Sequence, residues 1–232
     1  MRRGRPEGSG ARPLGVAAGL AMLLIVSAPV PPARGADSDP SGARFSVGLL
    51  AGTTQFDTEL ADYQWNTRPR AAWGAQGLAG IGRWAAGVRL WSTRTTQSIG
   101  DLGEAPGVRA TSLELVGQGR IGAWRGTRLL ARAGGGWLHL GYDPDRITIQ
   151  PSGSSPIVVD LAPVNTWTGG GGLALERTLL PGWSAALGVE RRMFAIDTAH
   201  RAGDEVVLER KTFGDWTARV ELTRVLMKGA TP

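Results

Sequence analysis

Residues 111–121 read TSLELVGQGRI, and after the link 123–126 (AWRG) residues 128–140 read RLLARAGGGWLHL. Successive side chains of a strand point to opposite faces of its sheet. By that parity Leu113, Leu115, Gly117 and Ile121 share one face of the first stretch, against Ser112, Glu114, Gln118 and Arg120. In the second stretch Leu129, Ala131, Ala133 and Trp137 oppose Arg128 and Arg132. Two runs with one uncharged face each, joined by a short link containing glycine, predict an antiparallel hairpin.

The same alternation extends in both directions. Strand-like runs occur at 45–53, 73–81 and 84–93 before this pair, and at 167–175, 183–195 and 216–226 after it. The links alternate between long and short. Short ones fall at 82–83, 123–126 and 177–182, and long polar ones follow Thr53, Thr93, Leu140 and Ala195. Long loops at one rim and tight turns at the other are the pattern of a membrane-spanning barrel with both ends on the turn side. The predicted fold is all-β, an eight-stranded antiparallel up-and-down transmembrane β-barrel over residues 43–227, with 228–232 as a C-terminal tail.

One face of nearly every run is uncharged: Phe45, Val47 and Leu49 in the first, Val88 and Leu90 in the third, Leu187 and Val189 in the seventh, Val220 and Leu222 in the eighth. The other face collects Arg89, Arg120, Arg128, Arg132, Arg192 and Arg219 together with Glu114, Glu176, Glu190 and Glu221. A soluble β-protein would bury the apolar face. A membrane barrel would turn it to lipid and pair the charges inside. Tryptophan position decides between them. Trp84, Trp124 and Trp183 stand beside short turns, and Trp73, Trp137, Trp167 and Trp216 beside long loops. Seven of nine tryptophans therefore lie at strand ends on two levels, as in the aromatic belts of a membrane barrel. The membrane reading is preferred.

The N-terminus fits export. Arg2, Arg3, Arg5 and Arg12 precede a 13-residue apolar stretch at 14–26, and Ala33-Arg34-Gly35 offers a small-x-small cleavage site. This describes a signal peptide over 1–35, followed by a linker at 36–42; thirteen residues are too few for a helix that needs ~20 to span a bilayer. The leader holds five Arg and one Glu, so the net charge of +6 falls to +2 in the mature chain. That balance gives no nucleic-acid footprint. Zero cysteines exclude a disulfide scaffold and thiolate metal sites.

On these residues the chain resembles the small eight-stranded outer-membrane barrels typified by the OmpA transmembrane domain and OmpX, over about 43–226. The resemblance implies the outer membrane of a Gram-negative-type cell, outer-membrane lipid as surroundings and the β-barrel assembly machinery during biogenesis. It implies a non-enzymatic envelope role, structural or barrier, with long loops free to meet an extracellular partner. Two alternatives are an OmpW-like conduit for small hydrophobic molecules and an outer-leaflet lipid-modifying enzyme. The chain departs from the pattern in three respects. Its eighth run ends in Leu222, Val225 and Leu226, followed by residues 227–232, with no terminal aromatic; Arg191 and Arg224 fall on the lipid-facing parity; and no peptidoglycan-binding domain follows the barrel in these 232 residues, so an envelope-tethering role is not expected.

Other motifs weigh little. Gly117–Gly122 matches G-x-G-x-x-G, but a dinucleotide site needs a helix after it and here a turn and a strand follow. His139 belongs to the interfacial ring near Trp137, and His200 to the last long loop; His139-Leu140-Gly141 lacks the His-x-Ser of lipid-modifying barrels. No catalytic, cofactor-binding or metal-ligating residue is assigned. The loops carry Asp57, Glu59, Asp62, Tyr63 and Trp65 in the first, and Asp204, Glu205, Glu209, Arg210 and Lys211 in the last, all expected at the solvated surface.

Overall fold

Tight reversals turn the alternating runs into hairpins. Arg125 and Gly126 have φ of 47° and 79°, the two positive values of a type I′ turn, whose twist suits paired strands. At the other two reversals Gly82 (φ 59°) precedes Arg83, and Gly182 (φ 78°) follows Pro181; glycine meets the positive φ without strain.

The computed structural model describes residues 43–98, 105–149, 155–202 and 205–228. The expected signal peptide and linker lie outside them, as do residues 229–232 of the tail. Strands run β1 Arg44–Phe56, β2 Arg70–Ile81, β3 Trp84–Thr96, β4 Gly107–Trp124, β5 Thr127–Asp143, β6 Arg146–Ile149, β7 Ile157–Asp160, β8 Val164–Leu180, β9 Trp183–Ala202 and β10 Glu205–Lys228. Eight of them close a barrel in the order β1-β10-β9-β8-β5-β4-β3-β2, every neighbour antiparallel. The pair β6–β7 forms a separate two-stranded sheet in the connection between β5 and β8.

The long connections differ from their expected form in three places. The stretch after Ala195 is mostly strand: β9 and β10 stay paired up to Ala202↔Glu205, so His200, Glu209, Arg210 and Lys211 stand on strands, while Asp204 lies outside the described residues. The stretch after Leu140 carries the β6–β7 hairpin. The first connection folds as a 3-10 helix, Thr58–Tyr63, that turns Leu60 and Trp65 inward. One physical reason covers the first two cases. Beyond the bilayer no lipid imposes an apolar outer face, so backbone pairing continues where the regular alternation stops.

Polarity is inverted across the wall. Outward-facing Leu49 and Leu115 are 68% and 72% exposed, whereas inward-facing Glu114 and Glu221 are 3% and 1% exposed. A continuous outer band of Leu, Val and Trp far exceeds the apolar patches that a monomeric soluble protein leaves in water. It is the surface of a barrel that spans lipid. Of the belt residues, Trp73, Trp84, Trp124, Trp137, Trp167 and Trp216 are exposed on the outer face, and Trp183 is half-buried.

Glycine shapes the inner wall. On β5 and β8, Gly134 faces Gly170 and Gly135 faces Gly169 across the ladder. A Cβ at Gly136 or Gly172 would lie 2.0 or 2.1 Å from the carbonyl oxygen of Leu113 or Val189, a separation no side chain accepts. The wall therefore approaches itself closely where it bends. Within the G-x-G-x-x-G match, Gly119 lies under the Trp84 ring, whose Cζ3 would be 2.3 Å from an added Cβ. The motif is strand surface.

Candidate functional site: a paired-charge interior beneath an aromatic cap

Inward parity on β3, β4, β5, β9 and β10 aims charged side chains at the barrel axis, where neighbouring strands bring opposite signs together. Asp215 Oδ1 accepts from Arg192 Nε and Nη2 at 3.1 and 3.0 Å. Arg192 Nη1 reaches Glu114 Oε1 at 3.1 Å, and the other oxygen of Glu114 accepts from Arg89 Nη2 at 2.5 Å and Nε at 3.0 Å. Arg89 also meets Glu190 at 2.8 Å. Arg219 donates to Glu190 and, through Nε at 2.7 Å, to Glu221. Glu221 accepts from both terminal nitrogens of Arg132, with Nη2 at 2.8 Å, and from Gln76 at 3.2 Å. Arg132 Nε ends the series on Gln118 at 3.1 Å.

The result is an alternating chain of four guanidiniums and four carboxylates, neutral in sum. Each of Glu114, Glu190 and Glu221 lies between two arginines. Withdrawal from water costs several kcal/mol per ion, which close pairing and hydrogen bonding offset. Hydroxyls complete the loop-side end: Ser112 donates to Glu114 at 2.7 Å, Thr217 to Asp215 at 3.2 Å, and Trp91 Nε1 to Thr54 at 3.2 Å. A recess with room for about one water molecule lies among Gln76, Arg89, Gln118, Arg132 and Glu190.

Three residues predicted with this set stand apart from it. Arg128 and Glu176 pair with each other at 3.1 Å, half-buried near the turn-side rim. Arg120 has inward parity but is exposed at that rim, where its backbone N–H donates to Arg83 O and a bulge follows at Arg120/Gly122. Its expected place in the interior is corrected accordingly, because the strand leaves the regular ladder before the side chain is enclosed.

Sequence reasoning missed Asp215 and Gln76. Parity alone reaches Asp215, two residues before Thr217 on the same face. The alternation lapses there because Phe213, Gly214 and Asp215 are buried in succession, with Arg191 lying over Gly214.

It missed a second feature as well. Toward the loop side the interior becomes apolar: Phe56, Leu60, Trp65, Val108, Ala110, Leu138, Leu140, Phe194, Ile196 and Phe213 form one buried cluster, flanked by Tyr63, Tyr142 and Val164. The first connection supplies its lid. Asp57 caps the 3-10 helix by accepting from Glu59 N–H, and Gln64 ends it in the left-handed region. Backbone bonds from Asp57 to Gly214, Asn66 to Thr96 and Ser98 to Gln64 hold it down. Phe56 meets Trp65 and Phe194 at centroid distances of 6.0 and 6.3 Å, and Tyr63 meets Phe213 edge-on at 5.6 Å. The Tyr142 hydroxyl donates to Gln97 Oε1 at 2.9 Å. The sequence signal was the appearance of Leu138, Leu140 and Phe194 on the otherwise charged parity.

His139 is exposed on the outer face. Its Nδ1 lies 2.8 Å from Asn165 Oδ1, which also accepts from Trp137 at 3.3 Å, and Trp137 packs edge-on against Trp167. Among the described residues no three His, Cys, Asp or Glu side chains are grouped to hold a metal ion.

No protein-family model matches the chain, and no curated protein sequence matches it. Solved structures do. Neisserial surface protein A superposes with a TM-score of 0.53 at 10% identity, over 80% of this chain and all of that one. OprG of Pseudomonas aeruginosa gives 0.42 at 10% identity, covering 83% of this chain and 100% of its own. Ail of Yersinia pestis, solved with the heparin analogue sucrose octasulfate, gives 0.40 at 12% identity, covering 79% and 99%. At such identity a likeness speaks for fold alone, and the first of these carries it: the chain has the fold of the small eight-stranded outer-membrane β-barrels.

Proposed function

We propose that the protein is a non-enzymatic outer-membrane barrel of a Gram-negative-type envelope, exported through a cleaved leader, with a structural or barrier role. Its loop-side hairpins then serve as the surface open to an extracellular partner. The observation that supports this reading best is the doubly closed interior. A neutral ion-pair chain crosses the barrel, and an aromatic cluster lidded by the first connection lies above it. Eight strands leave an interior that side chains can fill, and here they do so with groups that satisfy one another.

Planar-bilayer recording of the refolded monomer tests the reading. The expected trace shows no large, stable conductance. Large, stable, weakly selective openings from the unmodified protein would overturn the barrier reading and favour a conduit.

A further inference from the structure

We propose that the turn-side rim of the barrel is a binding surface for anionic phospholipid headgroups. The proposal rests on the membrane reading above and adds a lipid preference to it.

Charge is distributed unequally between the two ends. On the loop side carboxylates stand among the basic groups, and two pairs form, Arg146–Asp160 at 2.6 Å and Arg210–Asp197 at 3.2 Å, while a single guanidinium, Arg191, lies over a belt tryptophan, Trp216, at 5.6 Å. At the turn side Arg44, Arg83, Arg120, Arg125 and Arg224 are all exposed. The one carboxylate there among the described residues, Glu176, is already engaged by Arg128. Among the described residues the rim therefore keeps a positive excess that no further carboxylate there offsets.

Three of these guanidiniums are also held at a defined depth. Arg83 lies over the Trp84 ring at 5.2 Å from its centroid, Arg125 over Trp124 at 4.7 Å, and Arg224 over Trp183 at 5.3 Å. Tryptophan at a strand end marks the headgroup level of a bilayer. Stacking on it keeps a cation beside lipid rather than out in the aqueous phase. A planar guanidinium at that level presents paired N–H donors suited to a phosphodiester. The arrangement also accounts for Arg224, whose lipid-facing parity is otherwise unfavourable. Zwitterionic lipid brings its own cation and cannot offset the excess, whereas a lipid with net negative charge can. A soluble acidic partner fits less well, because the stacked groups face the lipid perimeter rather than the barrel mouth.

The test is lipid selectivity of the refolded full chain in phosphatidylcholine vesicles. Trace spin-labelled phosphatidylglycerol or spin-labelled phosphatidylcholine reports the lipid immobilised at the barrel wall. The unmodified protein is expected to favour phosphatidylglycerol by about fivefold at low ionic strength, the effect of roughly one basic residue near a charged headgroup, and to lose most of that preference in high salt. The triple variant Arg83→Gln, Arg125→Gln, Arg224→Gln should bring the ratio close to one, while Arg94→Gln with Arg109→Gln on the loop side should leave it unchanged. If the triple variant does not refold, the three single variants carry the same comparison. Equal immobilisation of both labels by the unmodified protein, or an undiminished preference in the rim variants, overturns the proposal. Absence of any immobilised lipid would instead overturn the membrane reading on which it rests.

Discussion

Glu221 is 1% exposed and takes hydrogen bonds from Arg132, Arg219 and Gln76, side chains from three other positions around the wall. Arg219 in turn joins it to Glu190. Truncating Arg219 therefore leaves two buried carboxylates short of a partner. We predict that Arg219→Ala lowers stability by about 3–5 kcal/mol, and that converting Glu190 to Gln in the same chain recovers part of the loss. At the half-exposed rim pair, Arg128→Ala should cost about 1 kcal/mol or less. Reversible denaturant unfolding in lipid vesicles measures all three. Similar losses at Arg219 and Arg128 would show that the interior pairs are no more tightly coupled than surface ones.

Within a single strand, depth decides the cost of a charge on the outer face. Leu115 faces lipid near the middle of β4, opposite Val88 on β3 and Gly135 on β5. Ile81, equally outward, ends β2 at the turn. Leu115→Arg is predicted to cost ~2–4 kcal/mol and Ile81→Arg ~0–1 kcal/mol, because only the latter can place its guanidinium among headgroups. Equal costs in the same unfolding assay would remove Leu115 from the bilayer centre. The eight barrel strands were legible in the sequence because lipid imposes one apolar face wherever a strand crosses it. That cue vanishes above the bilayer, so the outer parts of β9 and β10 and the hairpin β6–β7 read as loops although their backbones are paired. Trp65 and Tyr63 were misread for the opposite reason. They are apolar groups in an otherwise polar connection, and only the curl of a six-residue 3-10 helix turns them toward the interior. Alternation carries no information about such a turn.

Across the whole barrel the strands are of very unequal length. β1, β2 and β3 have 13, 12 and 13 residues, while β9 and β10 have 20 and 24. At ~3.3 Å per residue and a tilt of ~40°, β3 rises about 33 Å and β10 about 60 Å, against an apolar band ~25 Å tall. The short side of the wall ends close to the bilayer, and the long side stands well clear of it. A cysteine introduced at Leu208, exposed on the tall hairpin, should react on intact cells with a maleimide carrying a bulky polymer; one introduced at Thr58, just past the end of the short β1 and at the foot of that hairpin, should react well only with a small maleimide. Identical labelling by both reagents at both sites would contradict the difference in height. On a cell coated with sugar chains, altitude governs encounter. The β9–β10 hairpin would then act as a mast, and a particle too bulky to pass between those chains would meet it before it reached the low wall of β1, β2 and β3.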